Sequence, residues 1–148
     1  MKRLVVGAVV LATLAVAPSA LAGNVTGGGR GTIDGTNAFS DFGFGITVGD
    51  GGVRGHFNCL MAGSSQFPGF TLMAVRGQVK TATVGPSSAS FDGAGMFQTG
   101  PDGKLPATFH VEVTEGGPGV GTLHLVLLTP FLFNLPVEHV LAGQITIH

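Results

Sequence analysis

The sequence has no tryptophan, no tyrosine and a single cysteine, and only 10% of its residues are charged. Each shortage excludes something. Without Trp or Tyr, a cleft has no ring that stacks on a ligand and hydrogen-bonds to it at once. One thiol closes no internal disulfide, so stability has to come from apolar burial and backbone hydrogen bonding. Beyond residue 22 the chain holds five basic residues against eight acidic ones. That weakly acidic balance gives no broad basic face for nucleic acid or an anionic membrane, so neither is expected as a partner. The thiol itself, Cys59, lies in "VRGHFNCLM", where Val53, Phe57, Cys59 and Met61 share one strand parity. A buried, inert thiol is expected there, rather than a nucleophile or an intermolecular link.

What is present begins with a leader. Lys2 and Arg3 precede the apolar run Leu4–Ala17, Pro18 breaks it, and Ala20-Leu21-Ala22 has the small-x-small pattern cut by signal peptidase. The run is shorter than the roughly 20 apolar residues that span a bilayer. Residues 1–22 are therefore expected to be a cleaved signal peptide and residues 23–148 a single domain, secreted or periplasmic, with no integral membrane segment after cleavage.

Helical periodicity is nearly absent beyond the leader. Short alternating runs punctuated by Gly, Pro, Asp and Ser replace it, which is the all-β pattern. In "FGFGITV" the residues Phe42, Phe44, Ile46 and Val48 take one face. "GDGG" (49–52) then turns the chain into "VRGHFNCLM" as a hairpin. After a loop at Ala62–Gly69, the run from Phe70 to Val84 slips parity once, which predicts a bulge. The glycines of "ASFDGAGMFQT" (89–99) predict bending or close strand approach. "GPDGK" turns the chain into "TFHVEVTE", "TLHLVLL" follows a glycine loop, and "LAGQITIH" ends the chain. "TPFLFNLPVEHV" (129–140) carries two prolines and is not expected to be a central strand. The expected fold is an antiparallel β-sandwich or small closed barrel of about eight strands. An outer-membrane barrel is not expected, because Trp and Tyr girdles are missing, the apolar runs are short and the last residue, His148, is not aromatic.

Several of these motifs occur together in a known order. "GGGRGTIDG", "FGFGITV", "GHFN", "FDGAG", "FHVEVTEGGPG" and "AGQITI" make the chain resemble a family of small secreted bacterial β-domains, the post-COAP domains. The resemblance spans nearly all of the chain beyond the leader. It implies a compact β-domain of exported proteins and supplies no catalytic residues. The family often places acidic residues on both sides of the Pro-Gly loop. Here Glu115 matches the first, while Thr122 stands where the second is expected, which argues against a cation site in that loop.

The glycine loop "TEGGPGVGT" raises the question of a phosphate cradle. Such a cradle needs a following helix and usually a Lys-Ser/Thr pair. Here the next residues are the strand-like "TLHLVLL", so the loop is expected to be a turn: Pro118 at its second position, Gly119 supplying positive φ at its third. Among side chains, His110 and Glu112 share one strand face, and His124 lies on the following strand. If Glu112 pairs with His124, the three meet on one surface with the donor types of a two-His, one-carboxylate metal site. A one-residue slip would scatter them, and neither a metal nor any other cofactor is expected. No Gly-x-Ser-x-Gly elbow or Ser-His-Asp order is present, and His56 and Cys59, three apart on a strand, point to opposite faces. No catalytic residues are expected. The functional expectation is a secreted, non-enzymatic accessory, binding or structural module that meets a protein or surface component of the cell exterior. Two alternatives are a binder of small lipophilic ligands in a phenylalanine-lined interior and a metal-assisted hydrolase.

Overall fold

The computed structural model describes residues 22–62, 72–100 and 103–148. The expected leader, apart from Ala22, lies outside the described residues. So do most of the loop at Ala62–Gly69, the start of the run at Phe70, and Pro101 and Asp102 of the turn "GPDGK".

Every described element is a strand: β1 (Gly23–Thr32), β2 (Ser40–Gly49), β3 (Gly52–Ala62), β4 (Leu72–Val84), β5 (Ser88–Thr99), β6 (Gly103–Thr114), β7 (Thr122–Thr129), β8 (Phe133–Asn134) and β9 (Glu138–Ile147). All pair antiparallel in one continuous sheet, and the β6–β7 pairing closes it in a ring. Two separate sheets, as in an open sandwich, do not form. The all-β expectation holds and the strand number is close, because β8 and β9 lie in tandem along the same side of β7.

The structure adds one element and corrects one expectation. First, the glycine-rich opening shows no apolar alternation, yet it forms β1, paired along its length with β2 and β9. Close packing explains this: Gly27 stands directly opposite Phe44, and a Cβ on Gly27 would enter the Phe44 ring. Second, the two-proline stretch is interrupted rather than excluded from the sheet. Phe133 and Asn134 pair with β7, and Glu138 to Val140 already belong to β9. Pro130 and Pro136 both fall outside the paired residues.

Other local readings are met. Gly49 pairs with Gly52 across a two-residue hairpin loop, and the β4–β5 register shifts between Val79 and Thr81, where the parity slip lies. Alternation then fills the ring. Phe42, Phe44, Ile46, Phe57, Cys59, Phe91, Phe109, Val111, Leu123, Leu125 and Ile145 are all buried. Phe44, Phe91, Phe57 and Phe109 pack in a row, with successive ring centroids 5.6, 5.7 and 5.2 Å apart. A fully buried Phe is worth about 2–3 kcal/mol of transfer free energy, so this row is a principal source of stability. Strands β2 to β6 run 10 to 13 residues, longer than their apolar runs suggest. Strand length is thus no argument against an outer-membrane barrel. Polarity is the better one: the apolar face points inward and the polar face outward, the reverse of a lipid-embedded barrel.

Candidate functional site

The β6–β7 register places Glu112 directly opposite His124. Alternation turns His110 and Glu112 of β6 outward, because Phe109, Val111 and Val113 point inward. The three candidate residues therefore do meet on one surface. They belong to a longer row than the sequence suggests. Asp92 of β5 pairs opposite His110 and its Oδ1 lies 2.8 Å from His110 Nδ1. Thr81 of β4 donates to Asp92 Oδ2 at 2.9 Å, and at the far end Asn134 Oδ1 lies 2.7 Å from His124 Nε2.

Partner chemistry fixes one donor on each ring. A carboxylate and an amide oxygen only accept, so His110 donates from Nδ1 and His124 from Nε2. The remaining nitrogens face Glu112: His110 Nε2 is 3.7 Å from Oε1 and His124 Nδ1 is 3.4 Å from Oε2. Both distances exceed that of a good hydrogen bond. Each histidine thus has its own carboxylate oxygen, and the donors form a line rather than a shell. Among the described residues no three His, Cys, Asp or Glu side chains are arranged to hold a metal ion. Sequence reasoning missed Asp92, Thr81 and Asn134. Alternation with Phe91 marks Asp92 as outward, but only the register brings it to His110.

Grooves on the outer face flank this row. One, of about 450 Å³, is lined by Ser88, Ser90, Glu112, Thr114, His124 and the half-exposed Val137. A second, of about 650 Å³, crosses β3, β4 and β5. The phenylalanines of the interior pack against one another.

One carboxyl group sits deep within the fold. Glu138 is 2% exposed, and Ser40 Oγ donates to its Oε2 at 2.5 Å. Burial pushes its carboxyl up to about 7, with the Ser40 bond offsetting part of the rise. Cys59 is fully buried as expected; burial, and then the Glu138 charge, push its thiol well above the ordinary range. Such a thiol is not a nucleophile. His56 is exposed on the opposite face of β3, so the two form no dyad.

Four amides of the glycine loop are taken up by backbone carbonyls. Gly119 N donates to Val140 O, Val120 N and Gly121 N to Gly117 O, and Gly116 N to Ile145 O. The bond from Val120 N closes a turn with Pro118 second and Gly119 third, and Gly119 has φ +75°, as a type II turn requires. The loop also does more than turn. Val140 N and Ile145 N donate back to Gly121 O and Gly116 O, and Ile147 N donates to Glu115 Oε1. It clasps β9 where β7 no longer reaches it. No family model, curated protein or solved structure matches the chain.

Proposed function

We propose that this protein is an exported, non-enzymatic binding module of the cell exterior, of the post-COAP type that its motifs resemble. The observation that carries the reading is the contrast between its two faces. The interior of the ring is occupied by its own phenylalanine rings, while hydrogen-bonding side chains and grooves lie on the outer face. Recognition by the outer face of a rigid closed sheet follows from that division. The buried thiol and the occupied loop amides offer no nucleophile and no oxyanion hole, which favours binding over catalysis. Export rests on the leader pattern. Fractionation of the producing cells followed by intact mass spectrometry tests it: the exported protein is expected to begin at Gly23. Protein confined to the cytoplasm, or exported with Met1 in place, would overturn the reading.

A further inference from the structure

We infer that the connection between β7 and β8 is an insertion loop that seats this end of the ring on an uncharged lipid surface, a step beyond the binding-module reading, which concerns the outer face. Exposed apolar side chains scattered singly are ordinary on a protein surface, whereas a cluster marks a contact. Eight large apolar side chains are exposed among the described residues, and Leu128, Phe131 and Leu132 fall within one short stretch. Phe131 is 51% exposed and Leu132 72%. From Thr129 to Val137 no residue is charged, and Pro130 and Pro136 carry no N–H. The loop stands on a fixed base. The Thr108 amide donates to Thr129 Oγ1 at 3.0 Å, the two threonine hydroxyls lie 2.8 Å apart, and on the returning side the Leu135 amide donates to Leu125 O. Phe131 packs against Phe133 with ring centroids 6.0 Å apart, and Phe133 packs against the buried Phe97 at 6.2 Å. The tip is tied to the core through its rings, yet it leaves its outermost side chains in water.

Three observations select lipid as the occupant. The first is area. Three partly exposed side chains offer a few hundred Å² at most, against about 800 Å² per partner in a stable protein–protein interface. A second copy of the chain gains too little from them, whereas attachment to a bilayer scales with whatever apolar area enters it. The second is the chemistry of the tip. Pro130, Phe131 and Leu132 have no polar side-chain atom, the Thr129 hydroxyl is engaged by Thr108, and Asn134 Oδ1 is taken by His124. A protein partner is oriented by hydrogen bonds, but fluid hydrocarbon needs none. The third is charge. Beyond residue 22 the chain holds five bases and eight acids, so it lacks the basic cluster that draws a protein to anionic head groups. Apolar contact with a neutral surface is what remains. Insertion is shallow, because the backbone of a loop carries polar groups that hydrocarbon cannot satisfy. The side chains reach the acyl boundary while the backbone stays among the head groups.

Co-sedimentation of the protein, as an exporting host processes it, with phosphatidylcholine vesicles tests the assignment. Binding is expected, equal at low and high salt and no stronger when phosphatidylglycerol is added. Leu132→Ser should lower the partition coefficient about tenfold, the scale of withdrawing one leucine side chain from an apolar phase. Val120→Ser, an exposed change in the glycine loop at the other end of β7, should leave it unchanged. The lack of tryptophan supplies a second readout. Leu132→Trp puts a single indole at the tip, and its emission should move to shorter wavelength when the vesicles are added. The indole of Val120→Trp should stay in water. Absence of co-sedimentation, binding to phosphatidylglycerol vesicles alone, equal losses from Leu132→Ser and Val120→Ser, or an emission shift from Val120→Trp but not from Leu132→Trp would each overturn the proposal. Self-association in place of vesicle binding, removed by Leu132→Ser, would assign the tip to a second copy and overturn it too. These outcomes leave the exported-module reading standing, which fails only if the protein is not exported.

Discussion

Glu112 and His124 face each other directly across β6 and β7, carboxylate oxygen to ring nitrogen at 3.4 Å, with His110 on the other side of the same carboxylate. The Glu112 side chain is 61% exposed, so water screens both contacts. A double-mutant cycle of Glu112→Ala and His124→Ala should give a coupling below about 1 kcal/mol that shrinks with added salt. A coupling above about 2 kcal/mol would mean that the row is held far more rigidly than an exposed ion pair.

The glycine loop yields a second test. Gly119 has φ +75°, where a β-branched residue is strained, so Gly119→Val should destabilise the domain by about 1–3 kcal/mol. Glu115→Gln keeps an oxygen for the Ile147 amide and should shift the urea midpoint little. A loop built for a ligand would behave in reverse, with stability intact in Glu115→Gln and a bound ligand lost.

Phe44 tests the core. It is 5% exposed, packs at a tilt against Phe91 and covers Gly27. Phe44→Ala should cost about 3–5 kcal/mol in chemical unfolding. Gly27→Ala inserts a methyl group against the same ring and should cost about 1–3 kcal/mol by overpacking. A loss under about 1 kcal/mol in Phe44→Ala would show that the inward face had been misassigned.

Glu138 should make stability depend on pH. Its folded-state pKa is raised from 4.5 to about 7. Between those values the native state holds a proton that the unfolded chain releases. Stability from this group is therefore greatest at the acid end of the window. It falls as pH rises toward about 7 and is level above it. The full span is about 3 kcal/mol. Glu138→Gln keeps the shape without the titration. Unfolding curves at several pH values should show the wild type losing ground to this variant as pH rises through the window. Parallel profiles would mean that Glu138 ionises in the folded state as readily as in the unfolded chain.

Much of this architecture is legible because strand alternation is a local property. Phe42, Phe44 and Ile46, or Phe109, Val111 and Val113, declare their buried face within one run of residues. Hairpins joined by Asp50-Gly51 or by the Pro118-Gly119 turn are equally local. Strand β1 is not legible, because glycine has no side chain to alternate. Its place depends on Phe44 and on β9, both distant in sequence. The tandem β8 and β9 were obscured by Pro130 and Pro136, which interrupt the last strand without removing it from the sheet.

The candidate site divides in the same way. Residue types and face parity of His110, Glu112 and His124 follow from the order of amino acids alone, as do the apolar interior and the shortage of cations. Register does not, since it is set by pairing between strands and by the bulges that shift it. Only the folded sheet decides that Glu112 meets His124, that Asp92 claims one nitrogen of His110, and that Asn58 pairs with Arg76. It also decides that Glu138, an unremarkable acid in the sequence, is carried inside the ring, where burial holds its proton.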